Sequence, residues 1–359
     1  MNRFNILVVN PKQEFTQIAA YNNQKLVYLV NLQHSAQQLN SYKRHSDQVK
    51  FRADAIINEL LNNDIMMDEL KYIISRGGLI RPVSSGIYRV NELMMQDLKS
   101  SPVGDDIVNI GGLISSEIAS RYPDSTGLIA DPVVVDELDE VARITGYPKL
   151  KRRSVFHALN QKAVAIAHAR SYSKNYEDMN LIVAHIGNGT TIGAHRKGKV
   201  IDITQGFDGD GPFSLVRSGS LPLGDVIKMC YSGDYDYQDM MCIVTHCGGV
   251  YSYLGTTSIE VIENRIEQGD QQAKLVMEAL AYQVSKYIGA MFAVLNCEVD
   301  AILITGDVAH SNFVVKLIIN RIQKLAPTLV YPGDNTISAL AGNAIRVIKG
   351  EASIKEYSF

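Results

Sequence analysis

Three things are scarce in this chain, and each scarcity excludes a class. No apolar stretch approaches about 18 residues, so no segment reads as a membrane span. No charge of one sign dominates: 35 Lys and Arg stand against 38 Asp and Glu, intermixed along the chain, for a net charge of −3. A nucleic-acid or membrane surface needs a concentrated basic patch, which this balance does not supply. Cysteine is sparse as well. The four, Cys230, Cys242, Cys247 and Cys297, all lie in the C-terminal half without the repeated Cys-x-x-Cys spacing of a zinc site. Cys242, His246 and Cys247 read either as a metal cluster or as ordinary buried thiols. The first apolar run, Ile6–Val9, is too short for a signal-peptide core and reads as a strand. A cytoplasmic protein is the expectation.

What is present is a large apolar fraction, 46% of 359 residues, enough for a sizeable core and by length for two domains. Strand-like and helix-like runs alternate, which indicates an α/β fold. Ile6–Val9, Gln17–Tyr21 and Lys25–Val30 read as strands, with a hairpin turn at Asn22-Asn23. Helical stripes cover 51–61, 107–119, 163–169, 223–229, 258–267, 272–295, 312–325 and 336–347. Short buried strands fall at 72–74, 128–130 and 301–304, the last running into a Gly turn. From Leu181 the pattern of the opening returns: strand, turn, strand, two-residue hairpin at Lys197-Gly198, strand. The first strands end on Asn10 and His185 respectively. Such a repeat points to two copies of one domain, with a boundary dividing 1–176 from 177–359.

In such domains ligands sit at the carboxyl ends of strands, held by Gly-rich turns whose N–H groups reach anions. His185-Ile186-Gly187-Asn188-Gly189-Thr190-Thr191 suits that role, having glycines for close approach and hydroxyls to donate. A plain tight hairpin is the alternative. Thr305-Gly306-Asp307 is a second, weaker candidate. Arg76-Gly77-Gly78 follows a strand and is placed to grip a carboxylate or phosphoryl oxygen, as is Arg217-Ser218-Gly219. Each is otherwise a solvated turn. Asp131, before Pro132, is a Mg²⁺ or positioning carboxylate, or simply a turn-initiating residue.

Several longer motifs resemble the butyrate kinase family. They are Arg76-Gly-Gly-Leu-Ile-Arg81-Pro82, Asp131-Pro-Val-Val-Val-Asp136-Glu137, Phe156-His157-Ala-Leu-Asn-Gln-Lys162, Gly209-Asp-Gly-Pro-Phe-Ser214, Arg217-Ser-Gly-Ser-Leu-Pro-Leu-Gly-Asp225 and Tyr331-Pro-Gly333. The resemblance runs nearly the whole chain. It implies two ribonuclease-H-like (actin-like ATPase) domains, with mixed sheets, flanking helices and an active site in the interdomain cleft. It implies reversible phosphoryl transfer between ATP and butyrate with Mg²⁺. Ionised butyrate needs no general base, so catalysis would be positioning and charge stabilisation. The resemblance gives Arg76, Asp131, His157, His185 and Arg217 the catalytic roles, with Asp131 at the metal. It gives Asn10, Thr16, Gly187, Asn188, Gly189, Thr191, Thr305 and Gly306 to ATP. Val133, Val134 and Val135 form an acyl wall or continue a buried strand. A homodimer or higher homo-oligomer is implied.

One loop departs from the family pattern. Where Asn-Pro-Gly-Ser-Thr-Ser-Thr-Lys is usual, the chain has Asn10-Pro11-Lys12-Gln13-Glu14-Phe15-Thr16-Gln17. The glycine that lets a turn approach an anion is gone. A Glu14 carboxylate about 5 Å from a phosphate charge would cost roughly 3 kcal/mol at an effective dielectric of about 20. Lys12 is available to replace the missing cation. Gly306-Asp307 and Asp334-Asn335-Thr336-Ile337-Ser338 also depart. Two readings follow: a short-chain carboxylate kinase, or a catalytically weak or silent paralogue acting as a binding or regulatory partner. A kinase with a broader preference for branched-chain acids is a third.

Overall fold

The computed structural model describes residues 2–3, 5–67, 69–102 and 104–358. The chain divides into two compact units, residues 1–135 with 335–359, and residues 136–334.

The first unit is built on a seven-stranded sheet, β14-β7-β8-β6-β2-β3-β4. Its strands are β2 (Ile6–Pro11), β3 (Phe15–Asn22), β4 (Lys25–Gln33), β6 (Tyr72–Arg76), β7 (Ile87–Arg89), β8 (Thr126–Ala130) and β14 (Ile354–Lys355). A parallel pair, β1 (Asn2–Arg3) with β5 (Ile65–Met66), stands apart. β2, β3 and β4 form an antiparallel meander, and β6 and β8 run parallel to β2. Alternation puts Leu7, Val9, Ile18, Ala20 and Ile73 on one face. There they pack with Ala53, Ile56 and Leu60 of α2 (Val49–Asn62) and Ile110, Ile114 and Ile118 of α4 (Ile110–Ala119). The unit also holds α1 (Ala36–Leu39), α3 (Glu92–Ser100) and α12 (Thr336–Ile348), the last packed on β2 and β6.

The second unit repeats the plan with five strands, β11-β10-β9-β12-β13. These are β9 (Asn180–Ile186), β10 (Thr190–Arg196), β11 (Lys199–Ile203), β12 (Ala301–Gly306) and β13 (Thr328–Pro332). Again three antiparallel strands are followed by two parallel ones. Here the period-two pattern separates two cores. Ile182, Ala184, Ile302 and Ile304 face α10 (Gln271–Val294) and α11 (Asn312–Ile322). Leu181, Val183, Ala301 and Leu303 face Val164, Ala165 and Ala169 of α5 (Ala158–Ser171). Both faces are covered, which is why β9 and β12 read as continuous apolar runs. Helices α6 (Leu223–Cys230), α7 (Tyr237–Thr245), α8 (Gly249–Leu254) and α9 (Ile259–Glu267) complete the unit.

Some expectations shift. The first hairpin turns at Asn23-Gln24 rather than Asn22-Asn23, with Asn23 in the left-handed region at φ 52°. The stripe at 107–119 opens as a 3₁₀ turn over Ile107–Asn109 before α4. Residues 136–176 pack with the second unit through α5, so compactness divides the chain earlier than the repeat does. The last residues return to the first unit. Cys242 and Cys247 form a disulfide at the end of α7, and Cys230 and Cys297 are exposed, so neither sequence reading of the cysteines describes them. Val133–Val135 form a turn carrying a single bridge from Val135 to Val83, not a continued strand. Among the described residues, no helix is long and apolar enough to cross a membrane.

Candidate active site

In the first unit two of the candidate residues meet at the carboxyl edge of adjacent parallel strands. Arg76 ends β6 and pairs in register with Ala130, the last residue of β8, so Asp131 follows directly beside it. Arg76 is half-buried, and among the described residues its guanidinium has neither an acid nor a hydrogen-bond partner. Asp131 takes a left-handed φ of 37°, which Asp tolerates better than most residues. Its Oδ1 accepts from Ser85 Oγ at 2.6 Å and from the Gly86 N–H at 2.9 Å. Those bonds fix the carboxylate, which is 8% exposed. Val134 and Val135 lie buried just beyond it.

The altered loop lies between β2 and β3, and its order has a cause the sequence hid. Arg52, on α2, is fully buried beneath it. Its guanidinium donates to the carbonyls of Lys12, Gln13 and Phe15, to Thr16 Oγ1 and to Gln48 Oε1. Burial pulls its pKa down to about 10. In a trans peptide the N–H points opposite to the preceding carbonyl. With the Lys12 and Gln13 carbonyls turned to Arg52, the Gln13 and Glu14 N–H groups point away from it, together. Two successive N–H groups so aligned match the backbone arrangement from which anion-binding concavities are built, here without glycine. Glu14 is exposed and among the described residues forms no ion pair. Asn10 is buried at the end of β2, and among the described residues its Oδ1 has no partner. Thr16 spends its hydroxyl internally, on Arg52 and on His34 Nε2 at 2.8 Å. Desolvation beside the Arg52 charge lowers the His34 pKa to about 4, leaving it neutral.

The second unit gathers the other catalytic candidates around the β9–β10 hairpin. His185 nearly ends β9, and Gly187-Asn188-Gly189 forms the turn. His157, just before α5, stacks on His185 with ring centroids 3.8 Å apart and planes 15° from parallel. His185 Nδ1 lies 2.8 Å from Asn160 Oδ1, and His157 Nδ1 lies 2.9 Å from Thr191 Oγ1. Arg217 reaches the same turn: its Nη1 donates to the Gly206 carbonyl, and it lies over the Phe207 ring at 5.6 Å. A Cβ on Gly189 would stand 2.2 Å from Arg217 Nη1 and 3.2 Å from His157 Cε1. Glycine there lets arginine and imidazole converge on the turn. Ser214 pins the turn by donating to the Asn188 carbonyl at 2.5 Å.

Thr305 and Gly306 lie one strand away, Thr305 in register with His185. Thr305 Oγ1 donates to the Gly333 carbonyl at 3.2 Å, and Gly306 has φ 90° with space for no Cβ against Ile186. Asn160 Nδ2 and Thr190 Oγ1 are buried without a partner among the described residues. Leaving such groups unsatisfied costs about 1–3 kcal/mol each, so an oxyanion that accepted from them would be favoured.

Two groups of cationic and hydrogen-bonding side chains at strand ends fit the handling of anions, and sequence comparison says which kind. Residues 146–347 match the acetokinase family. Over 354 residues the chain is 42% identical to butyrate kinase 1 of Clostridium acetobutylicum, covering 99% of both chains. The chain belongs to the acetokinase family. Butyrate kinase 2 of the same organism is 40% identical over 355 residues, again 99% of each. The solved acetate kinase of Porphyromonas gingivalis matches the fold with a TM-score of 0.78, over 96% of this chain and all of that one, at 16% identity. The two ribonuclease-H-like, actin-like domains expected from the sequence are therefore the fold. Members of the acetokinase family are ATP-dependent kinases.

Sequence reasoning missed Arg52, Asn109, Asn160 and Gln161. Asn109 takes the Leu79 N–H on its Oδ1 at 2.8 Å and so anchors the loop after Arg76. Asn160 and Gln161 sat inside a quoted motif without a role. Arg52 carried no signal, because a cation on a helix ordinarily faces water.

Proposed function

We propose that this acetokinase-family chain transfers the γ-phosphoryl of ATP reversibly to a short-chain carboxylate, with butyrate as the acid, giving butyryl phosphate and ADP. What carries the reading is identity of 40–42% over 99% of the chain to two butyrate kinases.

The carboxylate is ionised at neutral pH and needs no base. The barrier is mutual repulsion of two anions, so the protein's part is positioning and electrostatic stabilisation. Arg76 steers the acid and the transferring group, and Val134 and Val135 form the apolar wall beside it. Arg217, His157 and His185 donate to the phosphoryl oxygens. The N–H groups of Gln13, Glu14 and the Gly187–Gly189 turn hold the nucleotide phosphates, with Asn10 beside them. Thr16, Thr191 and Thr305 support these groups through internal bonds, and Gly306 shapes the β12 end.

Asp131 is the residue that would hold Mg²⁺. Among the described residues no three acidic, His or Cys side chains form a metal cage. A single fixed carboxylate suits Mg²⁺, which is usually held by one or two carboxylates together with phosphate oxygens and water. When bound, the ion neutralises charge on the phosphates. A homodimer or larger homo-oligomer belongs to the same proposal.

The silent-paralogue reading rests on the departures at Lys12–Gln17 and Asn335–Ser338. Arg52 turns two successive N–H groups of the first loop the same way without glycine, which weakens the first of these grounds. The test is hydroxylamine trapping of acyl phosphate with ATP, Mg²⁺ and a series of acids of increasing length and branching. Turnover peaking at butyrate is expected. Absence of both turnover and calorimetric ATP binding would restore the silent reading.

A further inference from the structure

Behind His157 runs a buried line of hydrogen bonds: Tyr176, His195, Gln161, Thr191. Tyr176 OH lies 2.7 Å from His195 Nδ1, and His195 Nε2 lies 3.0 Å from Gln161 Oε1. Gln161 Nε2 reaches the Thr191 carbonyl at 3.0 Å and Thr191 Oγ1 at 2.9 Å. Thr191 Oγ1 then meets His157 Nδ1 at 2.9 Å. His195, Gln161 and Thr191 are all fully buried.

One fixed acceptor orders every proton in the line. A backbone carbonyl can only accept, so the Gln161 atom facing the Thr191 carbonyl is the NH₂. Gln161 Oε1 therefore faces His195 and accepts, which places a proton on His195 Nε2. Burial and the Lys162 charge hold the His195 pKa well below its ordinary value, so the ring is neutral and its Nδ1 accepts from Tyr176. The second N–H of Gln161 donates to Thr191 Oγ1. Of the other neighbours of that oxygen, the His157 N–H at 3.5 Å is a donor, and only His157 Nδ1 can accept. The Thr191 proton goes there.

We infer that Gln161, oriented by His195 and Tyr176, is a positioning residue that fixes His157 in the Nε2–H tautomer and makes it a standing hydrogen-bond donor. The donor's target, a transferring phosphoryl oxygen, rests on the proposed function. The opposite tautomer would turn a lone pair toward an anion.

The sheet makes room for this line. A Cβ on Gly193 would lie 2.5 Å from Gln161 Oε1 and 3.1 Å from His195 Nε2. One on Gly206 would lie 2.1 Å from Thr191 Cγ2, so the threonine methyl sits against that glycine and its stiff χ1 aims the hydroxyl at His157. Glycine inside a strand, as Gly193 is in β10, is otherwise a cost; Gly206 lies in the turn after β11.

The test is long-range ¹H–¹⁵N correlation on full-length protein labelled at histidine, with the His157 signals assigned by their loss in His157→Gln. The expected wild-type spectrum has an unprotonated His157 Nδ1 and a protonated Nε2. Gln161→Met and Thr191→Val should lose that fixed tautomer, and kcat should fall on the order of 100-fold with the KM for ATP little changed. Thr191→Ser, which keeps the hydroxyl, should restore the tautomer. A protonated Nδ1 in the wild type, or an unaltered tautomer in Gln161→Met, overturns the inference. The fixed tautomer in a protein that makes no acyl phosphate supports the line of bonds and counts against the phosphotransfer reading instead.

Discussion

Arg52 and Arg217 show how differently two arginines serve one fold. Arg52 is buried among carbonyls and among the described residues pairs with no acid; its contacts orient the loop above it. Replacing it by Met would take this donor from the Lys12 and Gln13 carbonyls and from Gln48 Oε1, while the Phe15 carbonyl keeps the Lys12 N–H and Thr16 Oγ1 keeps His34. A loss of about 3–5 kcal/mol is expected, read as a lower denaturation midpoint together with weakened ATP binding. Arg217 is held at the turn by the space Gly189 leaves. Gly189→Ala should push the guanidinium aside and lower kcat by at least about tenfold, equivalent to about 1.4 kcal/mol of barrier, with little change in thermal stability. Unchanged turnover in that variant would mean that Arg217 does not act from this position. The sequence made Arg217 legible because it stands in a distinctive motif. Arg52 was invisible, since its significance lies in the loop of another element.

At the scale of elements, the C-terminal segment is the part least readable from its own residues. β14 adds to the sheet beside β7, and Tyr357 donates to Asp97 on α3, which also holds Arg81 bidentately at 2.8 and 3.0 Å. Desolvation raises the Asp97 pKa, but the Arg81 and Tyr357 hydrogen bonds and the Arg81 charge outweigh it and hold the carboxyl below its ordinary range. An acid with a depressed folded pKa contributes stability above its unfolded pKa, about 4, and loses it as pH falls through the folded value. The melting-temperature gap between wild type and Asp97→Asn should therefore be full near neutral pH and close in acid. A gap independent of pH would deny the ion pair its role. Nothing in the local pattern of 354–357 reveals this partnership, because it closes over more than 250 residues. The two meanders, by contrast, were plain in the sequence, since closely spaced apolar runs joined by short turns, one of two residues in each, encode them. β13 escaped notice: its residues are half-buried at a sheet edge and lack the continuous apolar run of β12.

At the scale of the molecule, the duplication is visible in the sheets themselves. β4-β3-β2-β6-β8 and β11-β10-β9-β12-β13 share order and direction, and each first strand carries a polar candidate residue one position before its end, Asn10 or His185. The copies have diverged into different tools. One offers Arg76, Asp131 and an arginine-backed loop; the other offers a stacked histidine pair and Arg217 on a glycine turn. Nucleotide binding should stabilise the fold by mass action, about 2.7 kcal/mol at a concentration 100 times Kd, measurable as a rise in melting temperature with ATP and Mg²⁺. The most direct trial of the whole is acyl phosphate formation from butyrate, ATP and Mg²⁺ by wild type, Arg76→Ala and Arg217→Ala, one substitution in each unit. Robust wild-type turnover, with each variant reduced by roughly two decades or more, is the expected result. Wild-type turnover that survives either substitution undiminished would contradict it.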